Sequence, residues 1–270
     1  MKNTEPINPF DNFAFYYEER PLKDEETRKK REERTKAELE ALEIIFYKRG
    51  INLSESTIVN IGGGTGRIAY PLSLQAKKII LAEPSSGMLN VAKSKYDTVE
   101  HGDIEFLLEG FLDVSLFPDS IDGLISLDGP FMYLIELEDQ LMALENIMRI
   151  LKPNGLVLIE VHNFFSIIMN LQHPKPEIWE TEKYKFSKFI SHETFNFKGI
   201  WQHTEYTFIE DKETNEIRSY ESVHHLKNTS STELLLLFQE TGFENIKFYP
   251  GRDLSAEEGN RFWIVAQKPK

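Results

Sequence analysis

The stretch VNIGGGTGRIAY, Val59 to Tyr70, places glycines at 62, 63, 64 and 66 between an apolar run and a helical pattern. The run TIVNI, Thr57–Ile61, reads as a short buried strand, and RIAYPLSL opens a helix expected over Arg67–Gln75. A glycine turn between strand and helix lies at the carboxyl edge of a parallel sheet, where open α/β folds bind ligands. Glycines there permit positive φ and let a ligand rest on bare main chain. The helix start beyond them favours an anionic group.

The alternation continues outward from that stretch. Strands are expected at Lys78–Ala82, Ile104–Leu108, Ile121–Leu127 and Leu156–Val161, and helices at Ser86–Tyr96 and Leu137–Leu151, with KPNG as a turn before the last strand. Strands alternating with helices imply a parallel sheet with right-handed crossovers. A short helix is expected over Phe164–Leu171, ended by Pro174 and Pro176. Residues 184–227 are rich in Phe, Tyr, Thr, Ile and His, with turn signals at Lys198–Gly199 and Asp211–Asn215, and read as a small antiparallel sheet. The α/β rhythm returns with a helix at Thr232–Thr241 and strands near Ile246–Tyr249 and Phe262–Gln267. Upstream, residues 22–49 read as a long helix with a buried stripe at Leu39, Leu42, Ile45 and Phe46. The organisation is an N-terminal segment and helix (1–50), a ligand-binding α/β domain (51–171 and 229–270), and an insertion (172–228) over the ligand edge.

The 270-residue chain is 40% hydrophobic and 12% aromatic, enough for a substantial core. It has no cysteine, which excludes disulfides, thiolate catalysis and cysteine metal sites; no metal is expected. No apolar run approaches the roughly 20 residues of a membrane span, and MKNTEPINPFDNF lacks the basic-then-apolar pattern of a signal peptide. A cytoplasmic home is the expectation. The net charge of −13 repels phosphate backbones, so nucleic acid is a disfavoured partner. The basic run RKKREER at Arg28–Arg34 is interrupted by Glu32 and Glu33 and reads as a solvated helix face laced with i,i+4 pairs.

The glycine pattern is Asn60-x-Gly62-x-Gly64-x-Gly66. A dinucleotide fingerprint needs a glycine where Arg67 stands, and a phosphate-cradling P-loop needs a Gly-Lys pair that the chain lacks. The strand KIILA ends at Glu83, beside the loop. An acid there accepts hydrogen bonds from the two hydroxyls of a ribose. Loop and acid together describe an adenosine-type ligand without a pyrophosphate.

At this point the chain resembles the class I S-adenosylmethionine-dependent methyltransferases, in their small-molecule branch. VNIGGGTGR looks like their first motif and LAEPSSGML like the ribose segment. FPDSIDGLISL and IMRILKPNGLVLIE match the fourth- and fifth-strand segments, and HHLKNTSSTELLLLFQETGFENIKFY resembles the late strand–helix–strand. The resemblance implies a Rossmann-like α/β sheet, mostly parallel, of seven strands with an antiparallel last hairpin, carrying a small antiparallel β insertion. It implies S-adenosyl-L-methionine as cofactor and methyl transfer to O or N of a small molecule. Two departures stand out. The first motif usually has an acid where this chain has Asn60, and the segment after the third strand usually reads Gly-Asp where this chain has Gly110-Phe111, with Asp113 following.

The resemblance assigns cofactor contacts to Asn60, Gly62, Gly63, Gly64, Gly66, Glu83, Pro84, Met88 and Leu127. The adenine side is left to Asp113 or to Leu112 and Phe111. The aromatic N-terminal stretch NPFDNFAFYYEERP resembles a tyrosine-containing lid, with Tyr16 or Tyr17 closing over the methionine end or packing on the domain. On the acceptor side stand Asp128, Phe131 and Tyr133 of LDGPFMY, and Asn163. His162, His203 and His224 are the candidate bases; neighbours on a strand face opposite ways, so only one of His224 and His225 can face the pocket. Trp201 and Tyr206 are expected to pack the insertion. A small amine or amino sugar is the expected acceptor and a homodimer is an allowed assembly. The rival readings are a protein or RNA methyltransferase, a non-catalytic cofactor-binding module, and a nicotinamide oxidoreductase.

Overall fold

A computed structural model describes residues 8–11, 13–169, 175–256 and 259–270. The elements follow in chain order. A 3₁₀ segment (Ala14–Leu22) leads into α1 (Glu25–Lys48), which starts where Asp24 accepts from the Thr27 amide at the N-cap. β1 (Thr57–Ile61), α2 (Ala69–Ser73), β2 (Lys78–Ala82), α3 (Ser86–Ser94), β3 (Ile104–Leu107) and β4 (Ile121–Ser126) come next. A 3₁₀ turn (Pro130–Tyr133), α4 (Leu137–Ile150), β5 (Leu151–His162) and α5 (Phe164–Met169) complete the first part. The insertion holds β6 (Glu177–Glu180), β7 (Tyr184–Phe195), β8 (Ile200–Asp211) and β9 (Ile217–Lys227). α6 (Ser231–Glu240), β10 (Glu244–Tyr249) and β11 (Arg261–Gln267) close the domain. The end of the helix expected to reach Leu171, with Pro174, lies outside the described residues.

The main sheet runs β10-β11-β5-β4-β1-β2-β3. Its first five strands in the chain are mutually parallel, and β11 is antiparallel to both β5 and β10. The order reverses at β1 and β4, so the switch point lies beside the glycine loop. Apolar residues cover both faces. α4 turns Ala143, Leu144, Ile147 and Ile150 onto one, and α1 turns Ala41, Leu42, Ile45 and Phe46 onto the other. Each large aliphatic or aromatic side chain buried this way contributes about 1.5–3 kcal/mol. The insertion forms its own antiparallel sheet in the order β6-β7-β8-β9.

Three expectations change. KPNG does not break the chain before a strand; it is looped out within β5, where the register jumps from Ile121↔Leu151 to Gly123↔Leu156. Left-handed Asn154 makes that excursion. The helix after the glycines is short, five residues rather than Arg67–Gln75, so its dipole offers little to an anion. The basic run of α1 is solvated only in part. Arg28–Glu32 and Lys29–Glu33 are exposed i,i+4 pairs, but Arg31 and Arg34 turn inward to Glu18, Glu38 and Asp128.

Candidate active site

The glycine loop is bare mainly because the protein itself fills the space. A β-carbon at Gly62 would stand 2.3 Å from Pro130, one at Gly63 2.8 Å from Leu81, and one at Gly66 2.7 Å from Tyr70. Gly64 differs: its β-carbon would meet only Met88 Cε at 3.5 Å. Gly62, Gly64 and Gly66 also have positive φ, which L side chains adopt only under strain. The loop is thus clamped between β2, α2 and the turn after β4, and opens at Gly64. Buried Asn60 lies beneath it, its amide nitrogen 3.2 Å from where a Gly63 side chain would begin.

Glu83, at the end of β2, is 6% exposed. Its Oε2 accepts from the Gly64 amide at 2.8 Å and its Oε1 from the Ser85 amide at 2.8 Å. Burial raises its pKa, and the two amides counter this. Each carboxylate oxygen has a further lone pair, so the group still accommodates a pair of hydroxyl donors. A sulfonium nucleoside fits this donor set: a fixed acceptor for a ribose, a bare turn at Gly64, and apolar Met88 beside it.

On the adenine side the two alternatives resolve into different places. Phe111 is buried in the core edge-on to Phe131, with ring centroids 5.5 Å apart. Leu112 is exposed, and Asp113 accepts from the Gly110 amide at 2.6 Å, closing its own loop. Pro84 packs beside Gly110. Leu127, expected to touch the cofactor, is buried in the opposite apolar layer with Trp263 and Tyr249.

The N-terminal segment lies across this edge as a strap with two latches. Asp11 Oδ1 accepts from Ser85 Oγ at 2.6 Å and from the Gly87 amide at 2.9 Å, at the start of α3. Glu18 bonds Thr65 in the glycine loop, Arg31 at 2.8 Å and Lys95 at 3.2 Å. Burial alone would raise the Glu18 pKa; the Arg31, Lys95 and Thr65 contacts prevail and bring it to about 2. Tyr16 and Tyr17 part company. Tyr16 packs against Tyr184, Phe186 and Tyr220 of the insertion, with centroids 5.3–6.3 Å away. Tyr17 turns instead toward Asp128; burial of its hydroxyl and the Asp128 charge raise its pKa.

Asp128 does not present a free carboxylate. It receives Arg34, Arg67 (2.7 Å) and Arg261 (2.6 Å). Those arginines also reach buried Glu38 and Glu160. Burial would raise the Asp128 pKa, and the three guanidiniums hold it well below the usual carboxylate range. The cluster ties α1, the glycine loop, β5 and β11 to the turn that carries Tyr133.

The remaining acceptor-side candidates separate by burial. Phe131 is a core residue, 1% exposed. Asn163 donates to the Gly259 carbonyl at 3.0 Å and anchors the start of α5. His162 lies beneath the turn, its amide donating to Met132 Sδ at 3.2 Å; burial holds its pKa at about 4. Its Nε2 is buried without a hydrogen-bond partner among the described residues. Tyr133 bonds His224 Nδ1 at 2.8 Å.

His224 is buried on β9, whereas His225 is exposed and bonds Gln202. The insertion's inner face aligns His192, His203 and His224 across β7, β8 and β9. His203 also meets Glu205 at 2.9 Å and His192 at 3.2 Å. Trp201 is buried against Phe164, as expected of a packing residue. Tyr206 is not buried but lies exposed on the other face.

Sequence reasoning passed over Glu18, Glu38, Glu160, Lys188 and Glu205. Two had a signal. Glu160 is an acid inside the apolar strand LVLIEV, and Glu205 alternates with His203 at the period of two that shares a strand face. Lys188 is 4% exposed and pairs with Glu205.

Residues 58–155 match the family described as "Methyltransferase domain". The Bacillus subtilis (strain 168) protein YqeM is 26% identical over 110 residues, 41% of this chain and 44% of that protein. The chain's match thus spans less than half the length of that relative. Among solved structures, an S-adenosylmethionine-dependent methyltransferase from Clostridium acetobutylicum superposes with a TM-score of 0.72 at 13% identity, covering 97% of this chain and 100% of that one. The sugar N-methyltransferase KedS8 from a Streptoalloteichus species gives 0.72 at 14% identity, covering 100% and 96%. At such identities the likeness is one of fold, and it extends through the strap and the insertion.

Proposed function

We propose, from a chain that carries a methyltransferase domain over residues 58–155, that it transfers a methyl group from S-adenosylmethionine to a nitrogen or oxygen of a small molecule. The observation that supports this best is Glu83, a nearly buried carboxylate bridging the Gly64 and Ser85 amides at the switch point of the sheet. The acidic chain favours a small acceptor over a nucleic acid. Likeness in fold to a sugar N-methyltransferase supports an amino sugar or related amine.

Glu83 and the Gly64 turn would hold the ribose, with Met88 and Pro84 beside the nucleoside and Tyr17 toward its methionine end. When bound, the cofactor supplies an activated methyl on a sulfonium. The chain's own work is then positional. The Asp128 cluster and the Gly62–Pro130 contact set the spacing between loop and acceptor turn. The strap and the insertion's inner face exclude water above them. Tyr133 is the polar group that the turn brings to the ligand edge, and its pKa is raised by burial and by the charges of Tyr17, Glu205 and Glu83.

Calorimetric titration with S-adenosylhomocysteine tests the reading. Micromolar binding is expected, and no heat at millimolar ligand would overturn it. Mass spectrometry of amino-sugar and polyol panels incubated with S-adenosylmethionine then reads the acceptor class.

A further inference from the structure

We infer that Tyr133, paired with His224, accepts the hydrogen bond of an amine acceptor, and that Glu205 acts as a positioning residue stabilising the charge that grows on its nitrogen. The inference rests on the transferase reading above and names the acceptor atom.

Tyr133 ends the 3₁₀ turn after β4, and His224 lies opposite it on β9, with hydroxyl and Nδ1 2.8 Å apart. Phe10 of the strap covers both rings, at 5.0 Å from His224 and 6.0 Å from Tyr133. Burial holds the His224 pKa at about 4, so its imidazole is neutral at ordinary pH. In the proposed arrangement the imidazole carries its proton on Nε2 and the phenol donates to Nδ1. The phenol oxygen is left with lone pairs, and a group that meets it has to bring a hydrogen.

Charge then separates amine from alcohol. A hydroxyl must lose its proton as the new bond forms, and an imidazole held near 4 is a weak base for that. An amine attacks with its own lone pair and needs orientation instead. In the balanced step a nitrogen–carbon bond forms, the carbon–sulfur bond of the donor breaks with its electron pair going to sulfur, and the nitrogen becomes cationic. The methylated ammonium leaves the site with its protons and loses one to water after release.

On the same face of the insertion Glu205 carries a carboxylate whose charge is offset in part by its ion pair with buried Lys188. Glu205 is held ionised: burial would raise its pKa, but His203 and Lys188 bring it to about 2. Its charge reaches both Tyr133 and His224. His203, with its ring centroid 5.8 Å from that of His224, fills the space between. Glu205 acts through this neighbour, without touching the acceptor.

The test uses full-length protein, labelled with ¹⁵N-histidine and saturated with S-adenosylhomocysteine, so that no turnover occurs. D-glucosamine and D-glucose are the matched probes. Glucosamine should shift the His224 resonance saturably in wild type, and glucose should not. Tyr133→Phe keeps the ring and should weaken the glucosamine response at least tenfold. Glu205→Gln should weaken it several-fold while S-adenosylhomocysteine affinity stays within twofold. A Glu205→Gln/Lys188→Met double variant, which leaves no unpaired charge, should still weaken the response, though less than the single variant because the opposing Lys188 charge is gone too. A glucosamine response unchanged by Tyr133→Phe, an equal response to glucose, or no response in wild type each overturns the inference. Failure of S-adenosylhomocysteine to bind wild type overturns the transferase reading instead.

Discussion

Pro130 stands so close to Gly62 that a β-carbon on the glycine would lie 2.3 Å from the proline Cγ. The contact locks the glycine loop to the turn after β4, at a residue with φ of 67°. Gly62→Ala adds both a clash and backbone strain, each costing roughly 1–3 kcal/mol. A lowered melting temperature and weaker S-adenosylhomocysteine binding are expected, by thermal unfolding and calorimetry. A variant as stable as wild type would mean that the loop and turn are not locked.

Glu83 accepts from two amides that shape the loop and is the proposed ribose acceptor. Glu83→Ala should weaken cofactor binding at least tenfold, since charge-assisted hydrogen bonds contribute about 1.5–3 kcal/mol each. It should also lower the melting temperature, because the Gly64 and Ser85 amides lose their acceptor. Glu83→Gln retains one acceptor oxygen and should fall between. Unchanged affinity in the alanine variant would remove Glu83 from the site.

The strap rests on Gly87, where a β-carbon would lie 2.6 Å from the Asp11 carbonyl oxygen. Gly87→Ala should lift the strap without disturbing the sheet. Faster tryptic cleavage before residue 35, faster release of bound S-adenosylhomocysteine and an unchanged circular dichroism spectrum are expected. Cleavage at the wild-type rate would show that the strap does not depend on this contact.

Asp128 binds three arginines in its ionised form. Its folded pKa lies below the ordinary 3.8. Its contribution to stability is therefore fully present above about pH 4 and is lost as pH falls through the depressed folded value. Asp128→Asn should reduce stability at pH 7 and flatten this acid limb. Urea unfolding at pH 7 and pH 3 measures both effects.

His224 is buried and His162 partly buried, both as neutral imidazoles, with folded pKa values of about 4 against an ordinary 6.5. Above 6.5 neither state protonates them. Between 6.5 and about 4 the unfolded chain takes up their protons first, so stability falls across that window and levels off below it. His162→Gln should remove part of the slope. Urea midpoints from pH 4 to pH 8 test this, and parallel curves would count against a neutral His162.

Much of the fold was legible because its signals are local. TIVNI, KIILA and LVLIEV are apolar runs of strand length bounded by turn residues, and their neighbours show helical periodicity. KPNG looked like a stop because its residues suit a turn; the ladder on either side carried β5 past it. Of the candidate site, the nearness of the glycine loop to Glu83 was readable because both flank a strand end. Asp128 was legible as a polar residue of the turn after β4, but its partners come from positions 34, 67 and 261. Glu205 was hidden in a strand whose inner face is known only once the insertion packs on the turn.

By itself the sequence determined a strand–glycine–helix unit, a neighbouring carboxylate, and a sheet that repeats the pattern. Tertiary structure alone decided that three glycines are bare for Pro130, Leu81 and Tyr70, that Asp128 is held by arginines, and that Tyr133 meets His224. Local periodicity is written in residues close along the chain, whereas close approach and charge pairing depend on segments far apart in it, joined only when the core forms.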